Sequence, residues 1–514
     1  MAQPLQNITV ASPGFFGLNT QESPIGLDPS FASIADNCVI DKLGRVGARK
    51  GFECITTNGS AVLGTSRGLE VIFEFVNRVG QTTVFSCGNN KIFTGTTTLV
   101  EVTLPVGYVI SDNNWKVMSF NNDVYFYQLG HQPLLSVAGT STLTGLTSTG
   151  GNPAPEGNEV LAAFGRVWTC DLVDNKYTVY WSSLLAGDDW NGGSSGSVDL
   201  TTVWPTGYDE VVSLAEHNGF LIIFGKKSII IYSGGESPTS DLTLSDTIEG
   251  VGCVARDSVQ STGSDLFFLS SRGVMSLGRV IQEKSLPLND ISKNVRSDLL
   301  QTLSQEVQSN GRRESIKSIY SPLEAFYLLT FPDSSLVYCF DLRQPLENGA
   351  YRPTTWTAIR PVSFAIFADD LLYMGHDEGL VKYAGYLDGD FKYQMRYFSN
   401  PLDFGNASNL KFLKKFNVTI IGGQNTESTL NWGYDYTSSF TKQALTFGTA
   451  SAAEYGITEY NTTGEYTASI VIQTPKVNTS GNGEVVTIGI EAEINDAPFA
   501  IQKIDIHALI GRLI

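Results

Sequence analysis

The sequence predicts an all-β chain, a β-propeller of six to eight blades followed by a C-terminal β-sandwich. Three observations predict it. Glycine is abundant, 51 of 514 residues, and separates short runs rich in Val, Ile, Phe, Tyr and Thr without any collagen-like period. That is the arrangement of many short strands joined by tight turns. Those runs recur as hairpins at a loose period, and near Gly389 the pattern changes to longer strands. The expected organisation is an N-terminal arm with a short helix over 1–54, the propeller over 55–388 and the sandwich over 389–514.

In the arm, Ser30 can cap a short helix from Pro29 to Cys38, with Ala32, Ala35 and Cys38 on one side. The repeat then begins. Apolar strand, polar or glycine turn and second apolar strand follow one another in seven stretches. These are Thr83–Gly95, Asp123–Val137, Arg166–Ser183, Phe220–Gly234, Asp265–Gly278, Ala325–Asp341 and Asp370–Gly385. Taking Val84, Val124, Val167, Leu221, Leu266, Phe326 and Leu372 as markers gives steps of 40, 43, 54, 45, 60 and 46 residues. Such spacings suit a four-stranded propeller blade. A hairpin with one apolar face must stack on neighbours to bury it, and radial closure leaves only short protected edges. A large irregular multi-sheet domain with evenly spaced hairpins is the alternative.

One helix interrupts the repeat. After Pro287, Asn289 or Asp290 can cap a segment in which Ile291, Val295, Leu299 and Leu303 fall four apart. Beyond Gly389, strands are expected at Phe391–Phe398, Phe412–Ile421, Leu430–Tyr436, Tyr466–Gln473, Glu484–Ala492 and Ala500–Leu513. Asn482-Gly483 suits a tight turn, with a longer loop as the other option.

The charge balance is 34 basic against 52 acidic residues, 34 − 52 = −18, and charged residues are only 17% of the chain. This argues against a protein that grips nucleic acid by neutralising phosphates, which needs excess Lys and Arg. An acidic wall past which DNA slides remains compatible, because it repels phosphates. With 42% hydrophobic residues the chain can fill large cores. The start, MAQPLQNITVASPGF, lacks a basic region followed by a long apolar core, so no signal peptide is expected. No apolar run approaches the roughly 18 residues of a membrane helix. Cys38, Cys54, Cys87, Cys170, Cys253 and Cys339 form no CxxC pair and read as small buried thiols of a soluble protein made in a reducing compartment.

Candidate chemistry is sparse. His131, His217, His376 and His507 stand apart and outside any ligand motif, and DLVDNK near Asp171 and Asp174 lacks a full calcium loop, so no metal is expected. There is no GxSxG elbow, P-loop or GxGxxG, and Gly192-Gly193 and Gly422-Gly423 read as turns. The strongest catalytic candidates are Asp188-Asp189-Trp190, Asp209-Glu210 and Asp369-Asp370, which would serve a glycosidase only if two carboxylates faced each other across a pocket. Acidic turn residues before strands are the ordinary reading. Trp115, Trp168, Trp181, Trp190, Trp204, Trp356 and Trp432 fall in or beside strands and read as packing residues. Lys411, Lys414 and Lys415 form the densest basic patch, either the polar side of a strand or a rim for an acidic partner. No catalytic, cofactor-binding or metal residue is assigned.

The N-terminal stretch carries a resemblance. It reads Gly17-Leu18-Asn19-Thr20, Ser23-Pro24, Ala35-Asp36-Asn37-Cys38, Asp41-Lys42-Leu43-Gly44 and Arg49-Lys50-Gly51-Phe52. This opening, followed by propeller-like hairpins, resembles the tail hub or nozzle proteins (tail tubular protein B-like) of short-tailed double-stranded DNA bacteriophages. Tyr397-Phe398-Ser399-Asn400-Pro401-Leu402-Asp403-Phe404-Gly405, leading into Lys411-Phe412-Leu413-Lys414-Lys415, resembles the strand opening that family's C-terminal β domain. The resemblance implies a structural, non-enzymatic virion protein assembled in the bacterial cytoplasm, six copies forming a homohexameric ring at the distal tail. It also implies docking to a tail adaptor protein, an outside that meets fibres, spikes or a needle, and transient non-specific passage of double-stranded DNA during ejection. Gly17–Phe52 would then be a structural signature, with Arg49 and Lys50 pairing with acidic groups within or between subunits. The alternatives are a non-catalytic host-glycan-binding propeller and a propeller glycosidase acting on host surface polysaccharide.

Overall fold

The computed structural model describes residues 5–511 apart from 25, 149–152, 206, 284–289, 311–312, 407, 424–425, 438 and 446–471. The hairpins form a propeller. Six small sheets stand alone, and a seventh four-strand unit is continuous with the C-terminal domain. The innermost strands of neighbouring units pack on one another, except that the turn Arg256–Ser258 stands beside Val211–His217 where the fourth unit meets the fifth, and the ring closes from Ser363–Ile366 back to Val71–Val76. All seven sequence markers fall on the second strand of successive blades: Thr82–Gly88, Asp123–Tyr127, Arg166–Cys170, Phe220–Gly225, Leu266–Ser270, Phe326–Phe331 and Leu372–His376. Every marker is buried.

The two long steps have local causes. Between blades 3 and 4 an extended excursion, 182–210, carries the short outer strand Gly196–Asp199. Between the three-stranded blade 5 and blade 6 the chain inserts helices Leu277–Glu283 and Arg296–Asn310. The expected stripe is buried but only half of it is helical: Leu299 and Leu303 lie on the second helix, Leu299 fully buried with Leu303 packed beside it, while the fully buried Ile291 and Val295 precede it. It begins later than expected. Asp290 accepts a hydrogen bond from Arg296, and a 3-10 turn, Lys293–Val295, precedes the first α-helical residue. Pro287 and Asn289 lie outside the described residues.

The C-terminal domain is two packed sheets. One holds Leu5–Ala11, Cys38–Ile40, Val46–Ala48, Lys411–Gly422 and Phe499–Ile510, with three short strands from 472–483. The other holds Phe31–Asp36, Tyr393–Ser399, Glu427–Tyr434, Thr441–Ala444 and Val486–Ile494. Alternation along Phe499–Ile510 puts Phe499, Ile501, Ile504, Ile506 and Ala508 on the buried face, as a half-buried strand requires. They meet Tyr397, Leu430, Ile488 and Ile490 of the facing sheet in one core.

Residues 5–54 therefore build both domains. Leu5–Ala11 pairs in full register with Phe499–Ile510, and Phe52–Cys54 supplies the outer strand of blade 7 beside Gly379–Tyr383. The expected helix over Pro29–Cys38 is absent; the segment is strand Phe31–Asp36 followed by Cys38–Ile40. A register shift between Ala32 and Ile34 turns Ala32 and Ala35 to the same side. A β-bulge thus imitated helical spacing. Asn482-Gly483 is likewise no hairpin turn but a short strand paired with Lys411 and Phe412. The run at Tyr466 lies mostly outside the described residues.

Candidate functional site

The inner strands of the blades open on the propeller axis, and there the chain places charge. Lys116, Glu159 and Lys317 each begin an innermost strand, in blades 2, 3 and 6. The turn Arg256–Ser258 enters between blades 4 and 5 and brings Arg256 and Asp257 to the same point. Lys116 Nζ donates to Asp257 Oδ1 at 3.0 Å and lies 3.6 Å from Glu159 Oε2. Lys317 Nζ donates to Asp257 Oδ2 at 2.6 Å and to Asn114 Oδ1 at 3.0 Å. Arg256 donates to the Asn158 carbonyl at 2.7 Å, to Asn158 Oδ1 at 2.9 Å and to Asp257 Oδ2 at 2.8 Å.

Three cations thus surround two carboxylates, and the two carboxylates fare differently. Burial pushes Asp257 up, but Arg256, Lys317 and Lys116 outweigh it and hold its carboxyl well below the usual range. Burial dominates at Glu159 and pushes it up to about 7, against the pull of Lys116 and Arg256. Its Oε2 accepts no hydrogen bond, and Arg256 Nε is 3.8 Å away. Burial also lowers Lys317, although Asp257 opposes it. The network fills the middle of the axis. Arg256 also lines a cavity of about 420 Å3, and Lys116, Asp257 and Lys317 line another of about 170 Å3.

None of these five residues was selected from the sequence. The available signal was positional: Trp115-Lys116-Val117, Asn158-Glu159-Val160 and Ile316-Lys317-Ser318 each put a charge at the head of a repeat's first strand. The carboxylates that were singled out serve turns in three different blades. Asp189 accepts from the backbone N–H of Asn191 and Gly192. Asp209, fully enclosed, accepts from Glu210, Lys226 and Lys227 N–H groups, and Glu210 pairs with Lys226 at 2.6 Å. Asp369 accepts from Leu371 N–H and the Tyr373 hydroxyl. Asp171 pairs with Lys176 at 2.6 Å. Among the described residues no three His, Cys, Asp or Glu side chains group as a metal site.

Six of the seven tryptophans are buried, and Trp190 packs half-buried against the core between blades 2 and 3. Five cysteines are buried and free as expected; Cys54 is exposed, its thiol bonded to Glu378 and pushed up to about 12 by burial and that carboxylate. Lys411 departs from both readings of its patch. It is buried, and its ammonium donates to the carbonyls of Asn406 and Glu484.

The Gly17–Phe52 residues assemble where propeller and sandwich join. A Cβ on Gly17 would stand 2.5 Å from Pro353 O, and one on Gly51 1.8 Å from Leu387 O, so neither position admits a side chain. Asn37, at φ 53°, donates to Gln394 O at 2.8 Å and through its N–H to Thr355 O at 2.7 Å. Asp36 pairs with Arg396 at 2.8 Å. Arg49 is wholly buried, holds both oxygens of Asp388 at 2.7 Å and lies over the Tyr393 ring. Lys50 pairs with Glu324 at 2.8 Å. Both basic residues find their acids within the subunit.

No known protein family matches the chain, and no curated protein does. Solved structures similar to it include YCF48 bound to D1 peptide, at 12% identity and TM-score 0.36, covering 62% of this chain and 93% of that one. YCF48 from Cyanidioschyzon merolae follows at 11% and 0.37, covering 65% and 98%. The extracellular domain of BT4673, assigned as a one component system, from B. thetaiotaomicron gives 11% and 0.39, covering 82% of this chain and 60% of that one. Likeness at this level carries no functional argument; the propeller rests on the chain's own strand pairing.

Proposed function

We propose that the chain is a structural virion protein, the subunit of the distal tail tube or nozzle of a short-tailed DNA bacteriophage. The observation that carries this reading is the Gly17–Phe52 signature. Its glycines and charged residues sit in the joint between the two β domains, where a signature of architecture rather than of chemistry belongs. The mechanism is mechanical and electrostatic: ring closure of six copies, docking to an adaptor ring and to fibres or spikes, and passage of DNA along a wall that does not hold it. A net charge of −18 suits such a wall. The propeller axis is filled by the Lys116–Glu159–Arg256–Asp257–Lys317 network. In this reading the DNA passage therefore lies between subunits, not through a blade ring.

Electron microscopy of the purified full chain, alone and mixed with its adaptor ring, tests the reading. A six-fold ring with a DNA-sized hole is expected. Discrete monomers in both samples overturn it.

A further inference from the structure

We infer that the turns of blades 1, 2 and 3 form an apolar docking face for a second copy of this chain, which meets it with the acidic outer strand of its own blade 4. Single exposed aliphatics are ordinary on a protein surface, whereas a contiguous group marks an interface. Val76, Val79, Val137, Leu184 and Leu185 are all exposed, Val79 by 78% and Leu185 by 63%. The turns that carry them touch one another. Arg78, in the blade 1 turn, donates through its backbone N–H to Asn122 Oδ1 at 2.7 Å and through its guanidinium to Asn121 Oδ1 at 2.5 Å. Asn121, in the blade 2 turn, donates onward to the Leu185 carbonyl of blade 3 at 3.1 Å. The turn Val137–Gly139 lies so close to blade 1 that a Cβ on Gly139 would stand 2.6 Å from the Phe75 ring. Segments 76–81, 121–122, 137–140 and 184–187 hold one charged residue, Arg78. Its guanidinium meets an amide oxygen and, among the described residues, no carboxylate.

Charge complementarity selects the occupant. A cation set among aliphatics loses water on contact, so it needs a carboxylate that itself stands beside apolar side chains. The chain displays such an element. Thr243–Glu249 is the outer strand of blade 4, paired on one side only, so its other edge is open. Asp241, Leu244 and Glu249 are exposed there, Leu244 by 49%. Segment 236–249 contains four acidic residues and no basic one. Docking face against docking face would bring Arg78 towards Arg78. The contact is therefore heterologous, the turns of one copy on the strand of the next, and it propagates as a ring or a filament. Two copies at a net charge of −18 each repel one another overall, and Arg78 supplies the cation that offsets this locally. The inference stands on these two surfaces and not on the joint residues that carry the nozzle reading, so either can fail alone.

The test is sedimentation velocity on the full chain over a concentration series, with electron microscopy of the same samples. The native chain is expected to self-associate. Arg78→Glu and Asp241→Lys are each expected to weaken association about tenfold, as loss of an interfacial charge pair implies. The double variant carrying both changes is expected to regain it, because the swap restores the pair. Regained association also shows that the double variant folds. Val79→Asp combined with Leu185→Asp, both on exposed turns, is expected to weaken association at least as much, with an unchanged thermal melt. A native chain that stays monomeric at its highest soluble concentration, association unchanged in Arg78→Glu, or a double variant that fails to regain it overturns the inference. Six-fold rings that persist in Arg78→Glu sink this contact and leave the nozzle reading standing; open strings of copies that Arg78→Glu disperses and the swap restores do the reverse.

Discussion

Arg49 at the interdomain joint and Glu159 at the propeller axis are both almost wholly buried charges, 0% and 2% exposed. Their surroundings differ. Arg49 spends its guanidinium on Asn37 Oδ1, the Lys50 carbonyl and both oxygens of Asp388, with an aromatic face beneath. Glu159 accepts from the Leu214 backbone N–H, has a long contact with the Ser213 hydroxyl at 3.5 Å and cations at 3.6 and 3.8 Å, and its Oε2 accepts no hydrogen bond. A buried charge is tolerated when geometry and hydrogen bonds replace the water it lost. The joint meets that condition and reads as architecture. The axis meets it only partly, and there the chain keeps polar groups that packing alone does not explain.

The contrast breaks most directly at Arg49. Arg49→Ala leaves Asp388 half-enclosed without its partner, and stability is expected to fall by about 3–5 kcal/mol, read by chemical denaturation or by loss of soluble protein. A loss under about 1 kcal/mol would mean the joint is no better satisfied than the surface.

Glu159→Gln sharpens the same contrast from the other side. Burial holds the folded carboxyl near 7, against about 4.3 in an unfolded chain. Between those values the folded state binds the extra proton, so this group makes stability fall as pH rises from about 4 to 7, and the whole penalty is present above that. Asp257, held well below the usual range, stays ionised throughout. The native chain is therefore expected to melt lower at about pH 8 than at about pH 6. The fall should shrink in Glu159→Gln by the equivalent of roughly 1.4 kcal/mol. Identical pH dependence in the two proteins would show the axis to be as well compensated as the joint.

The smallest effect belongs to an ion pair of neither region. Lys442 meets Glu491 at 2.9 Å on the sandwich edge, with the lysine 59% exposed. Lys442→Met is expected to shift stability by less than about 1 kcal/mol, and less still at high salt. A larger loss in the same melts would mean exposure does not set the scale of these effects.

Much of the propeller was legible because its signal is local. Each blade's second and third strands are an apolar hairpin, and burial of one strand face repeats every two residues whatever the partner. Hence seven markers from Val84 to Leu372 landed on equivalent strands. The misreadings arose where local spacing was degenerate: the bulge at Ala32–Ile34 imitated a helix, and Asn482-Gly483 imitated a turn. Of the candidate site, only the charges at the heads of the inner strands were visible, and nothing local marked them as convergent.

The sequence by itself determined the all-β class, the repeat, the buried faces and the charge of −18. Only the tertiary structure decided that Leu5–Ala11 pairs with Phe499–Ile510, that Phe52–Cys54 completes blade 7, and that Lys116, Glu159, Arg256, Asp257 and Lys317 meet on one axis. Alternation states that a strand has an inside; it carries no address for the partner across hundreds of residues. Radial closure supplies that address, because it brings the first strands of distant repeats to a common centre where their charges must be reconciled.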